Sequence, residues 1–358
     1  MNLTEILQQP LTQLPILQAD KEPFRAGLKR ILDSYSALIA LSDYKNTPLI
    51  GKLSKLIDGI IKTIDEYYEG KPSDAYHCLS DCLQESMVAD YLEKKGFIDA
   101  GTNLYRVRKK NSNYPLKKCD LFHIPFDQRG LVKTQRYSIP GLPSLYLSNC
   151  IYVAWEEMMR PDINEIQAVR LQNNKPLRVL DMTTDGFNPN HINDVYDERE
   201  TTQKLLTWPL VAACSVKVRK SDATFKPEYI VPQLLLQWIN KSMLDGIKYS
   251  STHINTADRK HQANLYNLVV PVKSFVKEEG YCDQLLNTFS STAVLPMQLR
   301  EFATTTNRFY GQSSPSTSVN NDVVTLELVK GQEEMYWGTS FGVLEHALKG
   351  LKLEPILE

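Results

Sequence analysis

Hydrophobic spacing changes character partway along the chain, and this change limits the possible folds most. Phe24, Leu28, Ile31, Leu32, Tyr35, Leu38 and Ile39 recur at three- and four-residue steps, one apolar stripe of a helix. Leu53, Leu56, Ile57, Ile60, Ile61 and Ile64 form a second stripe, and the turn-like DYKNTP, Asp43 to Pro48, separates the two. A third helix is expected over Ser73 to Lys95, with Ser73 or Asp74 as N-cap and Gly96 as stop. Three amphipathic helices joined by short connections point to a small bundle. After Gly101 the segments shorten and turn β-like: LYRVR, LFHI, SLYLS, QAVRLQ, LRVLDM, GIKYSS and NLVVPV, with helices expected at Ile151–Met159 and Pro232–Lys241. The run FKPEYIVPQLLLQWI, which contains the second of these helices, is assigned to the core. Helices first, then strands without regular βαβ alternation, is an α+β pattern. The expected domains are 1–98, a helical N-terminal domain, and 99–358, a mixed domain.

At 358 residues the chain is long enough for about two domains. Charge nearly cancels overall, at −1, which argues against a general polyanion binder and so against nucleic acid as partner. It is unevenly spread, however. Residues 1–100 hold 11 basic and 15 acidic side chains, a net of −4, whereas 101–140 hold nine basic against two acidic, a net of +7. Six scattered cysteines do not make a disulfide scaffold, MNLTEILQQ lacks a basic leader, and no apolar run approaches the ~20 residues of a membrane span. A reduced, cytoplasmic protein without membrane contact is expected. The polar stretch TTTNRFYGQSSPSTSVNND reads as a surface loop.

Common catalytic signatures are missing. There is no Walker loop, GxGxxG or HExxH. His77, Cys78 and Cys82 lie close together, but no second ligand pair follows at zinc spacing, and the cysteines read as small buried residues. The informative segment is QRYSIPGLPSLYLSNCIYVAWEEM, residues 135 to 158. It has a basic strand end at Arg136, a turn through Pro140, Gly141 and Pro143, a strand presenting Tyr146, and a helix carrying Glu156 and Glu157. LYRVR upstream offers Arg106 and Arg108, and DGIKYSSTH downstream puts Ser250 and Ser251 at a strand end.

These residues resemble the RES-domain family, named for an Arg, a Glu and a Ser. Arg136, Tyr137, Ser138, Pro140, Gly141, Pro143, Leu145, Tyr146 and a helix Glu fall in the register of its Pro-Gly-x-Pro core. Arg106 matches the family's first Arg and Gly246 to Ser251 its Ser segment, with Ser250 where Pro is usual. Asn267 in NLVVP matches a family Asn. The spacing favours Glu157 over Glu156 and makes Ser251 the family serine, with both doublets left open. The likeness spans roughly residues 100 to 275, and the helical part before it looks like the HEPN-type extension of some RES domains. It has no Arg and His four to six residues apart, so a nuclease role is disfavoured there.

The resemblance implies an ADP-ribosyltransferase-like fold and cleavage of the nicotinamide–ribose bond of NAD, by phosphorolysis or hydrolysis. On that basis Arg106, Arg136, Glu157 and Ser251 are the candidate catalytic residues. Tyr137, Tyr146, Glu156, Ser250 and Asn267 are the candidate substrate-binding ones. Planar Arg forks suit pyrophosphate or inorganic phosphate, and a carboxylate at the ribose suits an oxocarbenium-like transition state. Tyr146 or Tyr137 could stack on a base. NAD would be the substrate, phosphate a co-substrate, and no metal is required. A toxin or defence role is implied, with an antitoxin or regulatory partner. The helical part would serve regulation or homo-oligomerisation. The alternatives are ADP-ribosyl transfer to a macromolecule and a silent NAD- or ADP-ribose-binding sensor.

Overall fold

The computed structural model describes residues 1–110, 114–189, 197–218, 223–254, 265–273, 277–298, 325–329 and 331–357. Its helices are α1 Leu3–Leu7, α2 Phe24–Ala40, α3 Leu49–Tyr68, α4 Pro72–Glu85, α5 Val88–Lys95, α6 Ile151–Glu157, α7 Glu198–Cys214, α8 Ile230–Asn240, α9 Asp283–Thr288 and α10 Ser340–Lys349. Its strands are β1 Phe97–Ile98, β2 Asn103–Lys109, β3 Ser144–Ser148, β4 Ile166–Asn173, β5 Leu177–Met182, β6 Gly246–Tyr249, β7 Asn267–Pro271, β8 Phe289–Ser291, β9 Leu295–Pro296, β10 Thr325–Val329 and β11 Gln332–Met335. The fold is α+β, helices first. The stretch TTTNRFYGQSSPSTSVNND lies outside the described residues.

The chain divides into two compact units. The first comprises Met1–Gly96, Lys133–Pro140 and Arg178–Thr252; the second comprises Phe97–Val132, Gly141–Leu177 and His253–Glu358. In the first unit the two apolar stripes become the buried faces of α2 (Phe24, Leu28, Leu32, Tyr35, Ile39) and α3 (Leu53, Leu56, Ile57, Ile60, Ile61, Ile64). At Gly59 a Cβ would fall 2.1 Å from Cys82 Cβ, so glycine is what allows α3 and α4 to approach this closely. Burial pushes the Cys82 thiol up to about 12, away from any reactive thiolate.

The N-terminal helices share their core with residues far along the chain. The Tyr35 ring stacks on Trp208 of α7 at 4.1 Å, the Tyr35 hydroxyl donates to the Leu205 carbonyl (2.8 Å), and Trp208 Nε1–H donates to the Thr12 carbonyl (3.0 Å). β5 and β6 pair in parallel in this unit. Within the FKPEYIVPQLLLQWI run α8 starts at Ile230, with Ile230, Leu234, Leu235, Leu236 and Ile239 buried, whereas Phe225 at the head of the run is exposed, so only the helical part belongs to the core.

Local expectations need correction at four points. The helix expected over 73–95 is two helices, because Met87 takes a left-handed conformation (φ 64°) and the Ser86 hydroxyl donates back to the Cys82 carbonyl (2.6 Å). Its start is earlier than expected: Lys71 is the N-cap residue and Pro72 occupies the first turn. LFHI is no strand. It begins at the last residue of a 3-10 turn, Lys118–Leu121, and its Phe122 and His123 rings pack against Tyr281. Arg136 lies in a turn and not at a strand end.

The second unit is built on an antiparallel sheet with strand order β7-β3-β2-β4-β8, and β9 also pairs with β4. Tyr105 and Val107 of β2 and Ile166 and Ala168 of β4 join Ile151–Ala154 of α6 and Phe341, Leu344 and Leu348 of α10 in one buried cluster. A short helix is thereby held between sheet and C-terminal helix.

Candidate active site

The nine candidate residues divide between the units. Arg106, Tyr146, Glu156, Glu157 and Asn267 belong to the second, and Arg136, Tyr137, Ser250 and Ser251 to the first.

In the second unit, β3 is the organising strand. Its alternation puts Ser144, Tyr146 and Ser148 on one face and Leu145 and Leu147 on the other. Ser148 faces Asn267 of β7 in register, and the Ser148 hydroxyl donates to Asn267 Oδ1 (2.6 Å). With that oxygen engaged, the Asn267 amide points Nδ2–H at Glu157 Oε1, 2.9 Å away. The half-buried Glu157 carboxylate at the last turn of α6 is thus oriented by a two-step relay of side chains, Ser148 to Asn267 to Glu157.

The two carboxylates of the doublet differ in their surroundings. Glu156 is buried (2% exposed) and takes a two-pronged ion pair from Arg160, Nε to Oε2 and Nη2 to Oε1, both 2.9 Å. The Arg160 guanidinium also lies 5.5 Å from the centre of the Trp155 ring. Glu156, expected among the substrate-binding residues, has both carboxylate oxygens committed within α6 and the turn after it. Glu157 is the carboxylate of the pair that remains partly open to solvent.

Arg106 of β2 reaches β3 from the other side, Nη1 donating to the Tyr146 carbonyl at 3.4 Å. That contact and the Ser148–Asn267 pair are two residues apart on one strand, roughly 7 Å. Burial, reinforced by the neighbouring Arg108 cation, lowers the Arg106 guanidinium to about 10. It stays charged at neutral pH. Burial drives the Tyr146 hydroxyl well above its ordinary value, so it is a neutral donor, with Ser144 and Arg106 opposing that shift.

His123 completes this neighbourhood and was not anticipated. It is 1% exposed; the Cys282 N–H donates to its Nε2 (2.9 Å), so Nδ1 carries the proton and donates to the Ile124 carbonyl (2.8 Å). Burial lowers it to about 4, with the Arg106 charge pushing the same way. Ser148 was missed too, although its place two residues beyond Tyr146 puts it on the same strand face.

In the first unit, Arg136 turns both of its Nη groups to protein acceptors. Nη1 donates to the carbonyls of Cys214 (2.9 Å) and Glu228 (3.4 Å), and Nη2 to the Val216 carbonyl (3.0 Å) and Thr252 Oγ1 (3.4 Å). Its planar face lies over Tyr229, 5.2 Å from the ring centre. Cys214 ends α7, so the cation also meets the negative end of that helix dipole. Tyr137 is fully buried against Tyr249 (4.6 Å between ring centres), and burial together with Cys214 raises its hydroxyl far above the usual value. Ser250 Oγ accepts from the Thr184 N–H (2.9 Å), and Ser251 is buried at 1% exposure.

No helix among the described residues is long and apolar enough to cross a membrane. No protein-family model matches the chain, and no solved structure matches it. A curated protein of Bacillus subtilis (strain 168), called "Putative toxin YopC", is 32% identical over 259 residues, which cover 67% of this chain. The chain in turn spans 58% of the length of that protein, which it resembles over more than half of its own residues.

Proposed function

We propose that the chain is an NAD-cleaving toxin, breaking the nicotinamide–ribose bond with phosphate or water as acceptor. The observation that carries this reading is the Ser148–Asn267–Glu157 relay, a carboxylate held in a fixed orientation and anchored on the same strand, β3, whose Tyr146 carbonyl Arg106 contacts. The likeness to a protein named as a toxin supports the biological half of the reading.

In this reading Arg106 takes a phosphate oxygen of NAD or inorganic phosphate. The glycosidic C–N electron pair leaves with nicotinamide, which departs neutral because its ring nitrogen was cationic. Positive charge develops on C1′ and the ring oxygen of the ribose, where Glu157 stabilises it without being consumed. An oxygen of phosphate or water then closes the bond to C1′, giving ADP-ribose 1-phosphate or, with loss of a proton, ADP-ribose. Asn267 keeps the Glu157 carboxylate aimed, and Tyr146 offers a hydroxyl and a ring face to the substrate. Ser251, Ser250, Tyr137 and Arg136 enter from the sequence resemblance. An antitoxin or regulatory protein would keep such an activity in check.

Identifying the products by mass tests the reading. Purified chain is incubated with NAD, with and without inorganic phosphate. Phosphate-dependent nicotinamide release with a phosphorylated ADP-ribose makes it a phosphorylase, and phosphate-independent release of ADP-ribose makes it a glycohydrolase. Mass added to a protein or nucleic acid would move the reading to ADP-ribosyl transfer, and intact NAD with retained binding would move it to a sensor.

A further inference from the structure

Helix α6 is only seven residues long, too short to be stable by itself. Its first backbone N–H groups have no partner within the helix, and its N-cap residue, Cys150, supplies no side-chain bond. The partners come from nearly two hundred residues downstream. The Ile151 N–H donates to Glu345 Oε1 (2.6 Å), and the Tyr152 N–H donates to the Tyr336 hydroxyl oxygen (3.4 Å). The Tyr336 hydroxyl hydrogen is given to the same Glu345 oxygen, closing a small network. Both residues are buried, Glu345 at 6% and Tyr336 at 5% exposure.

A carboxylate is costly to bury, and here it stands at the positive end of a short helix, where a negative charge is most favourable. Glu345 sits in α10, whose Phe341, Leu344 and Leu348 pack in the same cluster as Ile151–Ala154. The C-terminal helix therefore fixes both the side and the end of α6. Glu157 follows Ile151 by six residues, roughly 9 Å along the axis. A tilt at the start of the helix moves its carboxylate relative to Asn267.

We propose that Glu345 and Tyr336 are positioning residues for Glu157, pinning α6 by its N-terminus so that the carboxylate meets the Asn267 amide; this rests on the reading of Glu157 given above. Neither touches the reacting atoms. Glu345→Gln keeps an acceptor oxygen for the Ile151 N–H, whereas Glu345→Ala removes it. Tyr336→Phe removes one hydroxyl from an otherwise unchanged ring.

The test compares these three variants and Glu157→Gln, all in the full chain, by hydrogen exchange over residues 150–158 and by kcat and KM for nicotinamide release. In Glu345→Ala the Ile151–Ala154 amides should exchange about tenfold faster, and kcat should fall about tenfold with KM changed less than about twofold. Glu345→Gln should recover both to within about threefold, with Tyr336→Phe between the two. If Glu345→Ala does not fold, Tyr336→Phe serves, with expected changes of about threefold. Unchanged exchange over 151–154, or Gln no better than Ala, overturns the proposal. The two readings fail differently. Nicotinamide release that survives in Glu157→Gln overturns the role of Glu157 itself. Release lost in Glu157→Gln but at wild-type kcat in Glu345→Ala overturns only the pin.

Discussion

Arg106 and Arg136, one in each unit, have the same side chain and opposite circumstances. Arg136 spends its guanidinium on three backbone carbonyls and a threonine hydroxyl and lays its face on Tyr229. Arg106 makes a long contact to one carbonyl and has its charged form disfavoured by burial. An arginine whose two Nη groups meet four acceptors has less left to offer a ligand than one with a single long contact. The second unit holds Arg106 and the oriented Glu157, and the first holds the turn that carries Arg136.

The largest effect that would sharpen this contrast is at Glu157. Glu157→Gln should reduce kcat for nicotinamide release by at least about a hundredfold with the melting temperature nearly unchanged, because the relay from Asn267 survives but the charge does not. Next comes Arg136→Ala, expected to cost about 2–4 kcal/mol of stability in a denaturant titration, since it orphans several carbonyl acceptors at once. A stable Arg136→Ala protein with lost NAD affinity would break the comparison, by making Arg136 a ligand residue. Smaller again is Arg106→Lys, which keeps the charge but loses the fork. We expect about a tenfold drop in kcat/KM, read from initial rates, with stability unchanged.

The smallest effect concerns His123. Its folded-state value, near 4, lies below the ordinary 6.5, so below pH 6.5 the unfolded chain takes up a proton that the folded chain does not. Stability should fall from about pH 6.5 to 4, by at most about 3 kcal/mol, and level off below that. Arg106→Gln removes one of the influences that keep His123 neutral. The His123 titration, followed by NMR, should move upward by a fraction of a unit.

Much of the architecture was legible because amphipathic helices and alternating strands advertise the faces they bury. α2, α3 and β3 are read directly from spacing. α7 was not, since Leu205 through Cys214 is buried all round, leaving no stripe, and Pro209 reads as a breaker. The split at Met87 has no glycine or proline to announce it. LFHI looked like a strand because an apolar run does not say whether it pairs or packs. At the site, the family resemblance pointed to Arg106, Arg136, Glu157 and Ser251 as catalytic and to Tyr137, Tyr146, Glu156, Ser250 and Asn267 as binding residues, while local sequence held an unused clue to the Glu doublet: Arg160 stands four residues after Glu156, at helical ion-pair spacing. Glu345 carried no such signal, because its partner is a backbone N–H distant in sequence.

The central claim, that Glu157 in the second unit drives NAD cleavage, is tested most directly by following nicotinamide release from NAD by the full chain and by Glu157→Gln side by side. We predict steady release by the wild type and a rate at least about a hundredfold lower in the variant. Equal rates, or no release by the wild type under conditions where NAD binds, would contradict it.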